Sequence, residues 1–181
     1  MLKLIEGARN SGKTYLLQWA NIEPYKFPFP FWYGKLKLSN NDVGTHHFAV
    51  SKEIMLHHLN RDGHIRKELF IDRGILTVLV WGVLENRITM DEAVKQLWTF
   101  ANEGLFNKTE VIYIKGENPR ERGAKDVWDN SDKAKEALLY EELLTELHEA
   151  LPNLKITRFQ NGFDMMSAVE FRESVIKGLD L

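Results

Sequence analysis

The sequence predicts an α/β fold with a mainly parallel sheet of about five strands as the middle of three layers and helices on both faces. Three observations carry that prediction. Short apolar runs that suit buried strands alternate with longer amphipathic segments along the chain. The first run, Leu2-Lys3-Leu4-Ile5-Glu6, stops abruptly at Gly7-Ala8-Arg9-Asn10-Ser11-Gly12-Lys13-Thr14, a phosphate-binding loop of the form G-x-x-x-x-G-K-[ST]. Tyr15 to Ala20 then reads as a helix, so strand, loop and helix follow in the order that phosphate binding at a helix N-terminus requires.

Each residue type in this loop has a physical task. Gly7 and Gly12 permit the turn, and the backbone N–H groups through Arg9, Asn10 and Ser11 point inward at a nucleotide's phosphates. Lys13 supplies a point charge between the β- and γ-phosphates, and Thr14 offers its hydroxyl to Mg²⁺. The expected cofactors are ATP and Mg²⁺, and the expected architecture is the P-loop NTPase fold. The 181 residues predict one domain spanning 1–181. A net charge of -2, with only short mixed basic runs, gives no reason to expect nucleic-acid binding. The absence of cysteine excludes a disulfide framework and fits a reducing cytoplasm. No signal peptide is expected at the start, and the longest apolar run, Ile75 to Leu84, is too short to span a bilayer. The expectation is a soluble, cytoplasmic protein without a membrane partner.

Further along, Asn21 to Phe27 predicts a second strand whose start is fixed by Pro24. Residues 28–45 read as a loop dense in aromatic rings, among them Phe29, Phe31, Trp32 and Tyr33. Phe48 to Leu59 predicts a helix with Phe48, Ile54, Met55 and Leu59 buried. Glu68 to Ile71 predicts a short strand ending in Asp72-Arg73, and an aspartate at a strand end is where a P-loop protein places a Mg²⁺-linked carboxylate. Arg73 follows where a hydrolase would need a second acidic group to orient water, which favours phosphoryl transfer over hydrolysis. Ile75 to Trp81 suits a strand or a helix equally by pattern. Thr89-Met90-Asp91-Glu92 is a capping box that opens a helix closed by Gly104. Val111 to Ile114 predicts a strand, Ser131 the cap of a long helix with Leu139, Leu143, Leu147 and Leu151 on one stripe, and Leu154 to Thr157 the last strand. Ser167-Ala168-Val169-Glu170 caps a final helix.

Taken in order, these motifs resemble the thymidylate kinases and, more loosely, the wider P-loop nucleoside and nucleotide kinases. The resemblance rests on Ile5-Glu6-Gly7 leading into Gly12-Lys13-Thr14, on Glu23-Pro24, on Phe48 to Lys52, on Asp72-Arg73 followed by Thr77, and on Arg120-Glu121-Arg122-Gly123 before a helix. It implies that Ile75 to Val83 is a helix. It also implies phosphoryl transfer from ATP to a (deoxy)nucleoside monophosphate such as dTMP, a small-molecule partner, and a homodimer. Phe48 then matches the ring that stacks on the acceptor base, Lys52 and Glu23 line the acceptor, and Arg73 holds the acceptor's phosphate. Asp72 joins Thr14 at Mg²⁺, and Arg120 and Arg122 belong to a lid over the donor at 116–130.

The chain departs from this pattern at Arg9, where the family has an acidic residue, and at Lys52, where it has an arginine with a two-pronged contact. Two other readings share the phosphate loop. In a deoxynucleoside kinase Glu23 would be the general base that takes the acceptor's 5′-hydroxyl proton. In a non-catalytic binding protein the nucleotide would only gate shape. Asn107-Lys108-Thr109-Glu110 precedes a strand and ends in Glu, which excludes the base-reading motif of a small GTPase. The pairs His46-His47 and His57-His58 put adjacent rings on diverging helix positions, without a third ligand in the sequence to complete a zinc site.

Overall fold

The computed structural model describes residues 1–8, 11–24, 43–116 and 130–161, together with Glu173 and Lys177. Four strands form one parallel sheet among the described residues: β1 (Leu2–Glu6), β2 (Leu69–Asp72), β3 (Thr109–Gly116) and β4 (Ile156–Asn161), in the spatial order β2-β1-β3-β4. Five helices are described with them: α1 (Lys13–Trp19), α2 (Val43–Arg61), α3 (Ile75–Leu84), α4 (Met90–Asn102) and α5 (Asn130–Ala150). The α/β class with a parallel sheet between helices is as the sequence predicts.

Alternation along β1 divides the core into its two faces. Leu2 and Leu4 point to the side packed by α2, α3, α4 and α5, where Ala49, Leu76, Leu79, Leu97, Leu143 and Tyr140 join them. Ile5 points the other way, onto Leu16 and Leu17 of α1 and the neighbouring Ile112, Ile114 and Phe159. The register aligns Ile5 with Asp72 on one side and with Ile112 on the other, so β1 and β2 end side by side while β3 runs on past them to Gly116. The chain leaves β1 for β2 on one flank and later returns to β3 on the opposite flank. That reversal opens a crevice beyond the carboxyl ends of the strands, where ligands of such sheets bind.

Several expected boundaries shift. Asn21 to Pro24 are turn and coil rather than the start of a strand. Their amides close α1 instead: Asn21 N–H donates to Gln18 O and Ile22 N–H to Leu17 O, and Pro24 has no N–H for a ladder. The rest of that segment lies outside the described residues, as do most of the final helix and the aromatic loop through residue 42; the last three residues read as loop, 43–45, instead open α2, which starts five residues before the expected Phe48. In the final helix, Glu173 and Lys177 are helical. The ambiguous Ile75 segment is a helix, α3. The long helix starts at Asn130, itself a capping residue type, which leaves Ser131 within its first turn. The last strand begins at Ile156 and runs to Asn161 because its length is set by β3, which it pairs from Val111 to Gly116, while Leu154 closes a turn onto Leu151 O.

Helix α2 is rotated relative to its hydropathy pattern. Phe48, Met55 and Leu59 face solvent, whereas His46, Ala49, Val50, Glu53, His57 and Asn60 are buried. The reason is polar pairing. His46 Nε2 meets Gln96 Oε1, His57 Nδ1 meets Leu105 O at 2.6 Å, and the Asn60 side-chain amide donates to Asn107 O and Lys108 O. Both buried imidazoles are thus engaged within the fold.

Helix α4 carries the predicted capping box: Thr89 Oγ1 accepts the Glu92 N–H at 3.2 Å and Glu92 Oε2 accepts the Thr89 N–H at 2.7 Å. Thr89→Ala removes one half of it and should lower stability by about 1 kcal/mol. Urea titration checks this: the expected change is a lower midpoint with an unchanged slope.

Candidate functional site

The site lies at the carboxyl edge of β1, β2 and β3. Gly7 leaves β1 with φ 138, and a Cβ there would stand 2.3 Å from Ile114 O of β3. This is room for bare backbone only. Gly12 then takes a left-handed φ of 98 as the N-cap of α1, which turns the chain directly from loop to helix. The loop is folded around its own lysine. Lys13 Nζ donates to Gly7 O at 2.5 Å, to Ala8 O at 2.6 Å and to Ser11 Oγ at 3.2 Å, and the side chain is 5% exposed. Thr14, one residue on, is exposed.

Burial is the main reason that the Lys13 amine is lowered to about 8, and the nearby Arg73 guanidinium adds to it. Glu136, Asp72 and Glu6 act in the opposite direction. These causes identify the groups gathered round the loop. Asp72 ends β2 beside Ile5. Arg73 follows with a left-handed φ of 74, its N–H bonded to Ile5 O at 3.1 Å and its guanidinium 5.6 Å above the Trp81 ring. Trp81 Nε1 in turn donates to Glu136 Oε1 at 3.2 Å.

Of the residues named from the sequence, Gly7, Ser11, Gly12, Lys13, Asp72 and Arg73 come together here. Glu23 is exposed in the coil after α1. Phe48 is 37% exposed on α2, and Lys52 on the same helix pairs with Glu53 Oε1 at 2.5 Å. Arg9, Asn10, Arg120, Arg122 and the lid span 117–129 lie outside the described residues, between Gly116 at the end of β3 and Asn130 at the start of α5 for the lid. In kind, the donor set fits a magnesium nucleotide: a loop amine at Lys13, an exposed hydroxyl at the next residue, Thr14, and a carboxylate at Asp72, which ends β2 beside Ile5. Among the described residues there is no cluster of three or more His, Asp or Glu side chains that could hold a metal unaided.

Sequence reasoning named Glu6 only as part of Ile5-Glu6-Gly7, with no role of its own, and did not name Glu136 or Tyr140. All three are fully buried polar side chains beside the site. Burial is the first cause of the Glu6 carboxyl's rise to about 7, opposed by the hydroxyl of Thr77 and the charge of Lys13. The available signal was polar residues at positions where strand or helix periodicity demands apolar ones: Glu6 ending a buried strand, and Glu136 and Tyr140 one turn apart on α5.

No protein-family model matches the chain, and neither does any curated protein. Solved structures do. The chain is similar to deoxyadenosine kinase from M. mycoides with bound dCTP at a TM-score of 0.58 and 15% identity, over 99% of both chains. It is similar to the same enzyme with bound dATP at a TM-score of 0.56 and 14% identity, over 100% of both. These neighbours are deoxyadenosine kinases, not the thymidylate kinases that the motifs resemble. Among the described residues no helix is long and apolar enough to cross a membrane. The chain shares the phosphate-loop α/β fold of those kinases from end to end.

Proposed function

We propose that this chain transfers the γ-phosphoryl group of ATP, with Mg²⁺, to a nucleoside-type small molecule. The observation that carries the reading is the grouping of a buried Lys13 inside its phosphate loop with Asp72 and Arg73 at the adjoining strand end. Phosphoryl transfer asks a protein mainly to align two anionic groups and neutralise the charge between them. Bound Mg²⁺ would neutralise phosphate charge from Thr14 and Asp72. Lys13 would exchange the Gly7 and Ala8 carbonyls for phosphate oxygens, and Arg73 would hold the acceptor side. Arg120 and Arg122, on a lid at 116–130, would complete the cage and exclude water.

Two acceptors follow from different observations. The motif order favours a nucleoside monophosphate such as dTMP, held by Arg73 with Phe48 on its base. The end-to-end similarity to deoxyadenosine kinases favours a deoxynucleoside, with Glu23 as the base that takes the 5′-hydroxyl proton. The test is γ-labelled ATP with Mg²⁺ and a panel of deoxynucleosides and monophosphates, run on the wild type and on Glu23→Gln. For a deoxynucleoside acceptor, Glu23→Gln is expected to lower kcat by roughly 10²-fold or more. For a monophosphate it should leave substantial activity. ATP binding with no labelled product from any acceptor would overturn the kinase reading in favour of a nucleotide-gated binding protein.

A further inference from the structure

A buried polar chain runs behind the phosphate loop and joins three elements of the site. It starts from a gap in local capping. Helix α3 begins at Ile75 with Gly74 as its N-cap, so it has no side-chain cap of its own, and no acidic residue lies in its first turn. Glu6, from β1, takes that place. Its Oε1 accepts the Leu76 N–H and its Oε2 the Thr77 N–H, both at 3.2 Å, and Oε2 also accepts the Thr77 hydroxyl at 2.6 Å. Gly74 makes the approach feasible, since a Cβ there would stand 3.0 Å from Glu6 Oε1. Thr77 has one hydroxyl proton, and it is donated to Glu6 Oε2. The Tyr140 hydroxyl is then the donor to Thr77 Oγ1, across 2.6 Å. One turn further along α3, Trp81 bonds Glu136, one turn before Tyr140 on α5.

The location of this chain is what gives it a role. Glu6 immediately precedes Gly7, so it is the root of the phosphate loop. Thr77 lies in the first turn of α3, directly after the Asp72-Arg73 corner. That corner holds a non-glycine residue in left-handed backbone and is already tied to β1 by Arg73 N–H to Ile5 O. Tyr140 lies on α5, the helix that follows the expected lid. A carboxylate is a costly way to fill an apolar interior, and here it accepts three bonds that an apolar side chain could not.

We propose that Tyr140, Thr77 and Glu6 form a positioning strut that holds the Asp72-Arg73 corner and α5 in fixed register with the phosphate loop. The inference rests on the phosphotransferase reading above. None of the three touches substrate; each acts through the groups that do. Phosphoryl transfer is sensitive to misplacement of about 1 Å, so loosening the strut should slow the chemical step more than it weakens nucleotide binding.

The test uses Thr77→Val, which keeps the branched shape and removes the hydroxyl, Thr77→Ser, which restores it, and Tyr140→Phe, which removes a single oxygen. Thr77→Val is expected to lower kcat roughly tenfold or more while KM for ATP stays within about twofold, and Thr77→Ser to recover most of the loss. Wild-type kcat in Thr77→Val, or a Ser variant as impaired as Val, overturns the strut. Should Thr77→Val fail to fold, Tyr140→Phe decides: a lowered kcat with unchanged KM supports the strut, and wild-type kinetics overturn it. Hydrogen exchange separates this proposal from the phosphotransferase reading. Faster amide exchange at Gly7, Ala8, Ser11 to Thr14 and Leu76 to Thr77 in Thr77→Val or Tyr140→Phe, restored in Thr77→Ser, is the expected result. Unchanged exchange overturns the strut even in an active enzyme. Changed exchange in the variants, alongside a wild type that labels no acceptor, overturns the transfer reading and leaves the strut standing.

Discussion

Lys13→Ala is expected to abolish the proposed phosphoryl transfer while leaving the protein folded. Removing one preorganised donor at a developing anion costs roughly 10²- to 10³-fold in rate, and Lys13 is both a donor and a full charge. Stability is expected to change little because two effects oppose each other. The amine loses hydrogen bonds to Gly7 O, Ala8 O and Ser11 Oγ, each worth about 1 kcal/mol net. Against that, the lowering of its pKa from 10.5 to about 8 means that burying the charged form costs on the order of 3 kcal/mol. The sign of the pH dependence follows from the same shift. Between about 8 and 10.5 the unfolded chain binds a proton at Lys13 that the folded chain does not, so this group raises stability as pH rises through that window. In the same window the wild type loses the positive charge that attracts phosphate, so KM for ATP should climb above pH about 8. Lys13→Ala should lack this contribution to the stability rise. Thermal melts from pH 7 to 10, with ATP titrations of the wild type in parallel, check both halves. A Lys13→Ala variant with substantial transfer activity would remove the loop from the mechanism.

The donor half of this site was legible in the sequence and the framework behind it was not, for physical reasons that particular residues make plain. Gly7, Gly12, Lys13 and Thr14 form a contiguous motif whose spacing is set by backbone geometry, so their meeting follows from eight consecutive residues. Asp72 could be placed because an apolar run ends on it. Glu6, Thr77 and Tyr140 meet only through tertiary packing, with no local spacing to connect them. Helix α2 shows the same limit from the opposite side. Hydropathy marked Phe48, Met55 and Leu59 as its inner face, yet the buried face carries Glu53, paired with Lys52 of the same helix, and His46, His57 and Asn60, whose bonding partners Gln96, Leu105, Asn107 and Lys108 come from α4 and the chain between α4 and β3. A polar residue reads as exposed until its partner is known. Ile75 to Leu84 illustrates the remaining case: uniform burial erases periodicity, so pattern could not separate strand from helix, and the resemblance gave the helix that α3 forms.

Gly7→Ala is expected to lower stability by more than about 3 kcal/mol and to abolish transfer with it. Two independent faults meet at this position. The φ of 138 is open to glycine and strained for any L side chain, and the added Cβ would sit 2.3 Å from Ile114 O. That oxygen belongs to β3, one residue past the last pair with β1 and in register with Phe159 of β4, so it cannot move away without disturbing the sheet. Relief must come from the loop, which would lift off β3 and carry the Gly7 and Ala8 carbonyls away from Lys13. Gly63 provides the internal control. It too has a positive φ, 81, but nothing lies within 4 Å of where its Cβ would be. Gly63→Ala should therefore cost about 1 kcal/mol, from backbone strain alone, and leave kcat at the wild-type value. Urea denaturation of the two variants, read beside their transfer rates, separates the contributions. A large loss at Gly7 with little at Gly63 assigns the effect to the contact with β3. Equal, small losses with activity retained in both would mean that the loop can leave the sheet edge and still align its phosphates, and the close seating of Gly7 on Ile114 would then have no part in catalysis.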